Sequence, residues 1–156
     1  MIGLGIMGSA MAANLVKAGF EVHGYDPVAA SRQRLRKAGG HACKSVAEVA
    51  QHSPHLLLSL PSEAALDQVC AELLATGLKG LIAAETSTLP EACKLRNRDA
   101  LAKHRITLLD CPLSGTGAQA MTRDLAVYAS GNAKAIRALA TWRCTPAAMP
   151  KPFAPC

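Results

Sequence analysis

Three glycines in the run Gly3-Leu4-Gly5-Ile6-Met7-Gly8 constrain this chain more than any other feature. The run lies between a short apolar stretch, Met1-Ile2, and a helical pattern that begins near Met7. It therefore reads as strand, turn and helix in succession. Each glycine has a physical reason in that setting. Gly3 allows a tight turn, Gly5 lets a phosphate come up against the backbone, and Gly8 lets the helix lie close on the sheet. The free amides and positive dipole end of the helix attract anionic phosphates. Leu4, Ile6 and Met7 complete the turn, and the whole run is the expected pyrophosphate cradle of a dinucleotide.

Such a run alone is a weak signal, and its context supplies the weight. Glu21 to Tyr25 form a second expected strand, closed by Asp26-Pro27. Asp26, with Tyr25 beside it, is placed to accept hydrogen bonds from the adenosine ribose hydroxyls, and its charge repels a 2′-phosphate. NAD is therefore the expected cofactor. No arginine stands beside Asp26, but Arg32 follows closely enough to keep NADP possible. The competing role for Asp26 is to cap the turn before Pro27.

Short apolar runs alternate with amphipathic stretches along the rest of the chain, as repeated βαβ units do. Met7, Met11, Leu15 and Ala18 recur at helical spacing, and Gly19 suits the helix C-terminus. A helix from Val28 to Ala38 follows, then a capping box at Ser45-Val46-Ala47-Glu48. His55 to Leu60 is a near-continuous apolar run, the pattern of a strand covered on both faces, and Ser62 caps a helix through Leu74. Further strands are expected at Leu81–Ala84, Ile106–Leu109 and Leu125–Ala129, with helices opening near Pro90 and at Asn132. The fold class is α/β, a Rossmann-type doubly wound parallel sheet over residues 1–140. Residues 141–156 carry Pro146, Pro150, Pro152 and Pro155 without periodicity and read as an irregular Pro/Ala-rich tail. The brevity of the first strand predicts unpaired backbone groups beside it.

Composition removes several function classes. The net charge is +6, but the basic residues cluster as Arg32, Arg34, Arg36, Lys37 and as Lys94, Arg96, Arg98. With aromatics at only 3%, there is little on which bases could stack, so these clusters read as solvated helix faces and no nucleic-acid partner is expected. The six cysteines are scattered without metal-ligand spacing. Reduced, mostly buried thiols in a cytoplasmic protein are expected, with no metal. No apolar run is long enough to span a bilayer, so no membrane partner is expected.

Four segments in order carry a family resemblance: the glycine run, Leu58-Ser59-Leu60-Pro61, Ser87-Thr88 before Pro90, and Asp110-Cys111-Pro112-Leu113-Ser114-Gly115. Together they resemble the N-terminal domain of the β-hydroxyacid dehydrogenases, which include 3-hydroxyisobutyrate, tartronate semialdehyde, L-threonate and 6-phosphogluconate dehydrogenases. The resemblance implies that Leu60 and Pro61 lie on the adenosine side of the cofactor and Thr88 near its nicotinamide end. It implies that Ser114 and Gly115 hold the carboxylate or hydroxyl of a small hydroxyacid. Thr116 stands where the family usually has a second glycine, which narrows the substrate pocket or shifts its specificity.

The family's general acid/base is a lysine in Gly-x-Gly-x-x-x-Lys-x-x-x-Asn, on the helix that opens an all-α C-terminal domain. Beyond Ser114 the lysines are Lys134 and Lys151, and neither matches. The resemblance therefore implies a cofactor half without its catalytic residue or helical domain, so oligomerisation through that domain is not expected. The change at Thr141-Trp142-Arg143-Cys144 reads as a frame change or premature end. The expected function is the NAD(P)-binding domain of an oxidoreductase acting on the CH–OH group of a small β-hydroxyacid, truncated and catalytically impaired. A non-catalytic NAD(P)-binding module, or an imine or semialdehyde reductase on the same scaffold, is the alternative.

Overall fold

The computed structural model describes residues 1–122 and 124–140, so the expected irregular tail lies outside the described residues. Helices α1 (Ile6–Lys17), α2 (Ala29–Lys37), α3 (Val46–His52), α4 (Glu63–Ala75) and α5 (Glu91–Ala102) alternate with short strands. These are β1 (His23–Gly24), β2 (His41–Ala42), β3 (His55–Leu58), β4 (Ile82–Glu85) and β5 (Thr107–Asp110). Then follow β6 (Leu113–Ser114), α6 (Gly117–Thr122), β7 (Ala126–Val127) and α7 (Ala133–Ala140).

Local chemistry sets most of the boundaries. Gly19 takes φ +89° just beyond α1, a left-handed conformation that costs glycine no Cβ clash. The Ser62 hydroxyl accepts the Ala65 amide and Asn132 Oδ1 accepts the Ala135 amide, each satisfying a first-turn donor. The capping box at α3 is displaced by one residue. Ser45 Oγ accepts the Glu48 amide as expected, whereas Glu48 Oε2 accepts from Lys44 N at 2.6 Å rather than from Ser45. The pattern missed α6, since Gly117–Thr122 is one and a half turns with only Ala120 buried and no apolar repeat to show it.

The strands β1 and β2 pair in parallel, as do β3, β4 and β5. A single residue, Ile2, joins the two sets, bridging in parallel to Tyr25 on one side and Leu58 on the other. Spatial order is thus β2–β1–Ile2–β3–β4–β5, and the direction of winding reverses at Ile2. The expectation of unpaired groups around this short strand does not hold. Ile2 N donates to Leu57 O at 2.8 Å, Ser59 N to Ile2 O at 2.9 Å, Gly3 N to Tyr25 O at 2.9 Å and Tyr25 N to Met1 O at 3.0 Å. Past β5 the pairing turns antiparallel, with Asp110 bridged to Ser130 and β6 to β7.

Helices cover both faces. Leu56 and Leu58 point into a core with Val46, Leu66, Leu73 and Leu101 from α3, α4 and α5. Leu57, pointing the other way, packs with Leu4, Ala12 and Leu35 and also with Leu109 and Ala135. This is why His55–Leu60 reads as a near-continuous apolar run, of which His55–Leu58 forms the strand. Fully burying each leucine contributes about 1.5–3 kcal/mol. Leu58→Ala is expected to lower the unfolding free energy by about 2–5 kcal/mol, read from urea denaturation.

Candidate functional site

The carboxyl ends of the parallel strands deliver five segments to one edge of the sheet. They are Gly3–Gly8 after Ile2, Tyr25-Asp26 after β1, Ser59-Leu60-Pro61 after β3, Thr86-Ser87-Thr88 after β4 and the Cys111–Gly115 loop after β5. A crevice forms where the winding reverses, because the chains leaving Ile2 and β3 diverge to opposite faces.

The three glycines of the first turn do different jobs. A Cβ on Gly3, whose φ is +86°, would meet the Ser59 carbonyl oxygen at 2.1 Å. One on Gly8 would meet the Gly3 carbonyl oxygen at 2.0 Å, so this face of α1 touches the turn backbone to backbone. Gly5 is the opposite case, with nothing within 4 Å of its would-be Cβ. It is the N-cap of α1, makes no side-chain cap, and is followed by no acidic residue in the first turn. The helix thus presents bare amides and its positive end to open space. Those features are chemically suited to an anionic phosphate. Ile6, 81% exposed, borders the same opening. Leu4 differs, because its side chain is fully buried and its amide donates to Asp26.

Asp26 combines the two roles weighed for it. Its Oδ2 accepts Leu4 N and its Oδ1 accepts Val28 N, each at 2.8 Å. The carboxylate therefore ties the glycine turn to the end of β1 and caps the turn before α2, while each oxygen keeps acceptor capacity for a ribose hydroxyl. The expectation that no arginine stands beside it is corrected. Arg32 Nη1 donates to Asp26 O at 2.6 Å and Pro27 O at 3.0 Å, because one turn of α2 brings it back over the strand end. Tyr25 is half-buried against the larger core.

On the other side of the crevice, Leu60 N donates to Ser87 Oγ at 2.7 Å, linking the loops after β3 and β4. Pro61, Thr88, Ser114 and Gly115 are exposed. Gly115 adopts φ +144° and a Cβ there would strike Leu125 at 2.5 Å. Thr116 has a structural occupation instead of a free hydroxyl. Its amide donates to Gln119 Oε1 at 2.8 Å and its Oγ1 accepts Gln119 N at 3.3 Å, a reciprocal cap on α6. That helix docks on α1, where Asn14 Nδ2 donates to Ala120 O at 2.6 Å. The glycine turn and the Cys111–Gly115 loop are braced through this contact, which sequence periodicity does not reveal.

The reading of Lys94 as part of a solvated basic face is also corrected. Lys94 is 8% exposed and lies on the buried side of α5 with Cys93, Asn97 and Leu101. Its ammonium donates to Ser87 O at 2.7 Å and Asp110 Oδ1 at 2.5 Å, and lies 2.9 Å from Glu85 Oε2. Glu85 is fully buried, and its Oε1 accepts the Ser87 amide at 2.7 Å. Burial by itself would lower the lysine pKa, but hydrogen bonds to Asp110 and Glu85 outweigh it and hold the ammonium above the usual lysine range. The lysine's contribution to stability is thus fully present at neutral pH and is lost as pH rises through that raised value. The spacing Cys93-x-x-x-Asn97-x-x-x-Leu101, with Lys94 adjoining it, is the signal that places this lysine inward. Arg96 and Arg98, by contrast, are exposed and pair with Asp67 and Asp99.

Cys43, Cys70, Cys93 and Cys111 are buried free thiols, and burial pushes Cys111 up to about 11 and Cys70 to about 12. Among the described residues no group of His, Cys, Asp and Glu is arranged to hold a metal. No described helix is long and apolar enough to cross a membrane.

A glycine turn, a bare helix N-terminus and an acidic strand end around a switch point define a dinucleotide-binding domain of the doubly wound α/β class. Residues 1–142 match the family model of the NAD-binding domain of 6-phosphogluconate dehydrogenase, and the chain belongs to that family. It is 34% identical over 134 residues to a probable mitochondrial 3-hydroxyisobutyrate dehydrogenase of Dictyostelium discoideum, covering 83% of this chain and 42% of that protein. Identity to an NAD-dependent L-serine dehydrogenase of Pseudomonas aeruginosa is 30% over 138 residues, covering 86% and 46%. The structure of 3-hydroxyisobutyrate dehydrogenase from Mycobacterium tuberculosis, solved with L-serine, superposes with a TM-score of 0.83 at 26% identity, covering 87% of this chain and 47% of that one. The chain thus spans about half the length of the relatives it matches.

Two variants separate packing from charge. Gly8→Ala is expected to cost about 1–3 kcal/mol of stability through the backbone clash, seen as a lower Tm. Lys94→Met is expected to cost about 3–5 kcal/mol in urea unfolding, because it leaves the Glu85 carboxylate buried beside no cation.

Proposed function

We propose that this chain is the NAD-holding half of a dehydrogenase that oxidises the CH–OH group of a small hydroxyacid, with NAD preferred to NADP. The observation that carries the reading is the open space at Gly5 over an uncapped, acid-free helix N-terminus, with Asp26 facing it from the neighbouring strand. The names of the relatives, 3-hydroxyisobutyrate and L-serine dehydrogenases, supply the substrate class.

When bound, the nicotinamide ring supplies the hydride acceptor. The chain's own residues bind and orient. Gly3, Gly5 and Gly8, with the amides of Ile6 and Met7, cradle the pyrophosphate, and Asp26 accepts from the adenosine ribose. Leu60 and Pro61 border the adenosine side and Thr88 the nicotinamide end. Ser114 offers a hydroxyl and Gly115 an amide to the substrate's carboxylate or hydroxyl, as suits a small donor-rich turn. Lys94 does not serve as the proton acceptor, since its ammonium is already committed to three oxygens. The base is taken to come from outside this domain, so hydroxyacid oxidation by these residues alone is expected to be slight, by about 10²–10⁴-fold.

Calorimetric titration with NAD⁺ and NADP⁺ tests the reading. Gly5→Ala is expected to keep the wild-type Tm and lose about tenfold or more in NAD⁺ affinity. Asp26→Ala is expected to weaken NAD⁺ and narrow the preference over NADP⁺. Wild-type protein that binds neither nucleotide, or a Gly5→Ala variant that binds NAD⁺ unchanged, would overturn it.

A further inference from the structure

Lys94 and Glu85, both buried, and the half-exposed Asp110 form an ion cluster whose members come from three elements: α5, the end of β4 and the end of β5. Each member is attached to a loop at the crevice. Lys94 holds the Ser87 carbonyl and Glu85 holds the Ser87 amide, so both polar groups of that peptide turn are gripped from beneath. Ser87 Oγ in turn accepts Leu60 N. Asp110 immediately precedes Cys111, whose amide donates to Glu85 O at 2.7 Å. The main chain of Asp110 is also locked to Ser130 in both directions, at 3.1 and 2.8 Å.

The cluster lies on one side of the crevice only. Asp26 and the glycine turn, on the far side of Ile2, make their hydrogen bonds without it. A dinucleotide centred on the α1 N-terminus, with its adenosine ribose at Asp26, must extend its other half across the ends of β3, β4 and β5. That is the half of the crevice whose loops the cluster holds.

We propose that Lys94, Glu85 and Asp110 are positioning residues for the nicotinamide half of the cofactor and for the substrate loop, setting the Ser87-Thr88 turn and the Cys111–Gly115 segment at a fixed separation. The proposal rests on the NAD-binding reading above. Its physical basis is that an ammonium with three oxygens around it tolerates little displacement of any of them. A hydride donor and acceptor also need placement within a fraction of an ångström.

The test compares ligands that reach different distances along the crevice. ADP occupies only the pyrophosphate and adenosine side, whereas NADH reaches the cluster's side. Two variants of the full chain avoid stranding a buried charge: Asp110→Asn, which keeps the Lys94–Glu85 pair, and the double variant Glu85→Gln with Lys94→Met, which leaves only the half-exposed Asp110 carboxylate. Both are expected to bind ADP within about twofold of wild type while NADH affinity falls about tenfold or more. Amide hydrogen exchange should quicken at Ser87, Thr88, Ser114 and Gly115 and stay unchanged at Gly3–Gly8. A parallel loss of ADP and NADH binding, unaltered NADH binding, or exchange that quickens equally across the domain would each overturn the proposal. Wild-type protein that binds no ADP would instead sink the cofactor reading, and the positioning role with it.

Discussion

Backbone touching backbone at the switch point is the constraint on which the rest of this domain depends. Gly3 lies against the Ser59 carbonyl and Gly8 against the Gly3 carbonyl, at separations that leave no room for a side chain. That closeness lets a single residue, Ile2, serve as the central strand, because its neighbours on both sides are drawn within hydrogen-bonding distance. It also puts the start of α1 at the sheet's edge, where bare amides face the crevice. Fold and site therefore share one packing contact, and the residue that opens the site, Gly5, is the one the packing leaves alone.

The two sides of the crevice are built from different forces. On the Ile2 and β1 side, neutral backbone amides and one aspartate hold the glycine turn, with aliphatic packing by Leu4 and Leu35 beneath. Across β4 and β5, an ammonium and two carboxylates hold the loops, one of the carboxylates fully buried. Burying such charges is expensive unless every one is met, and here Lys94 reaches three oxygens. The expense is understandable where loop positions must be held to a fraction of an ångström, a task for which non-directional apolar packing is poorly suited.

Much of the fold was legible in residue order. Gly19, Ser62 and Asn132 act within a few residues of themselves, so their effects on turns and helix ends appear in the string. The near-continuous run His55–Leu60 points to a strand with helices on both faces; the strand ends at Leu58, and the two cores confirm the cover on both faces. Short or weakly patterned elements escaped. The helix α6 has one buried residue, and the reciprocal Thr116–Gln119 cap that starts it looks like ordinary loop polarity. Arg32 and Lys94 were misplaced because helical rotation, rather than sequence distance, decides which face a long basic side chain joins.

Sequence by itself determined the βαβ winding and the positions of the glycine turn and the acidic strand end, because glycine conformation, capping and hydrophobic period are local properties. The tertiary structure alone decided what those residues meet. It gave Asp26 two backbone partners, Thr116 a helix to cap and Lys94 a place beneath the crevice with Glu85 and Asp110. Those partners come from separate elements, and only the closing of the sheet brings such distant charges and amides within hydrogen-bonding range.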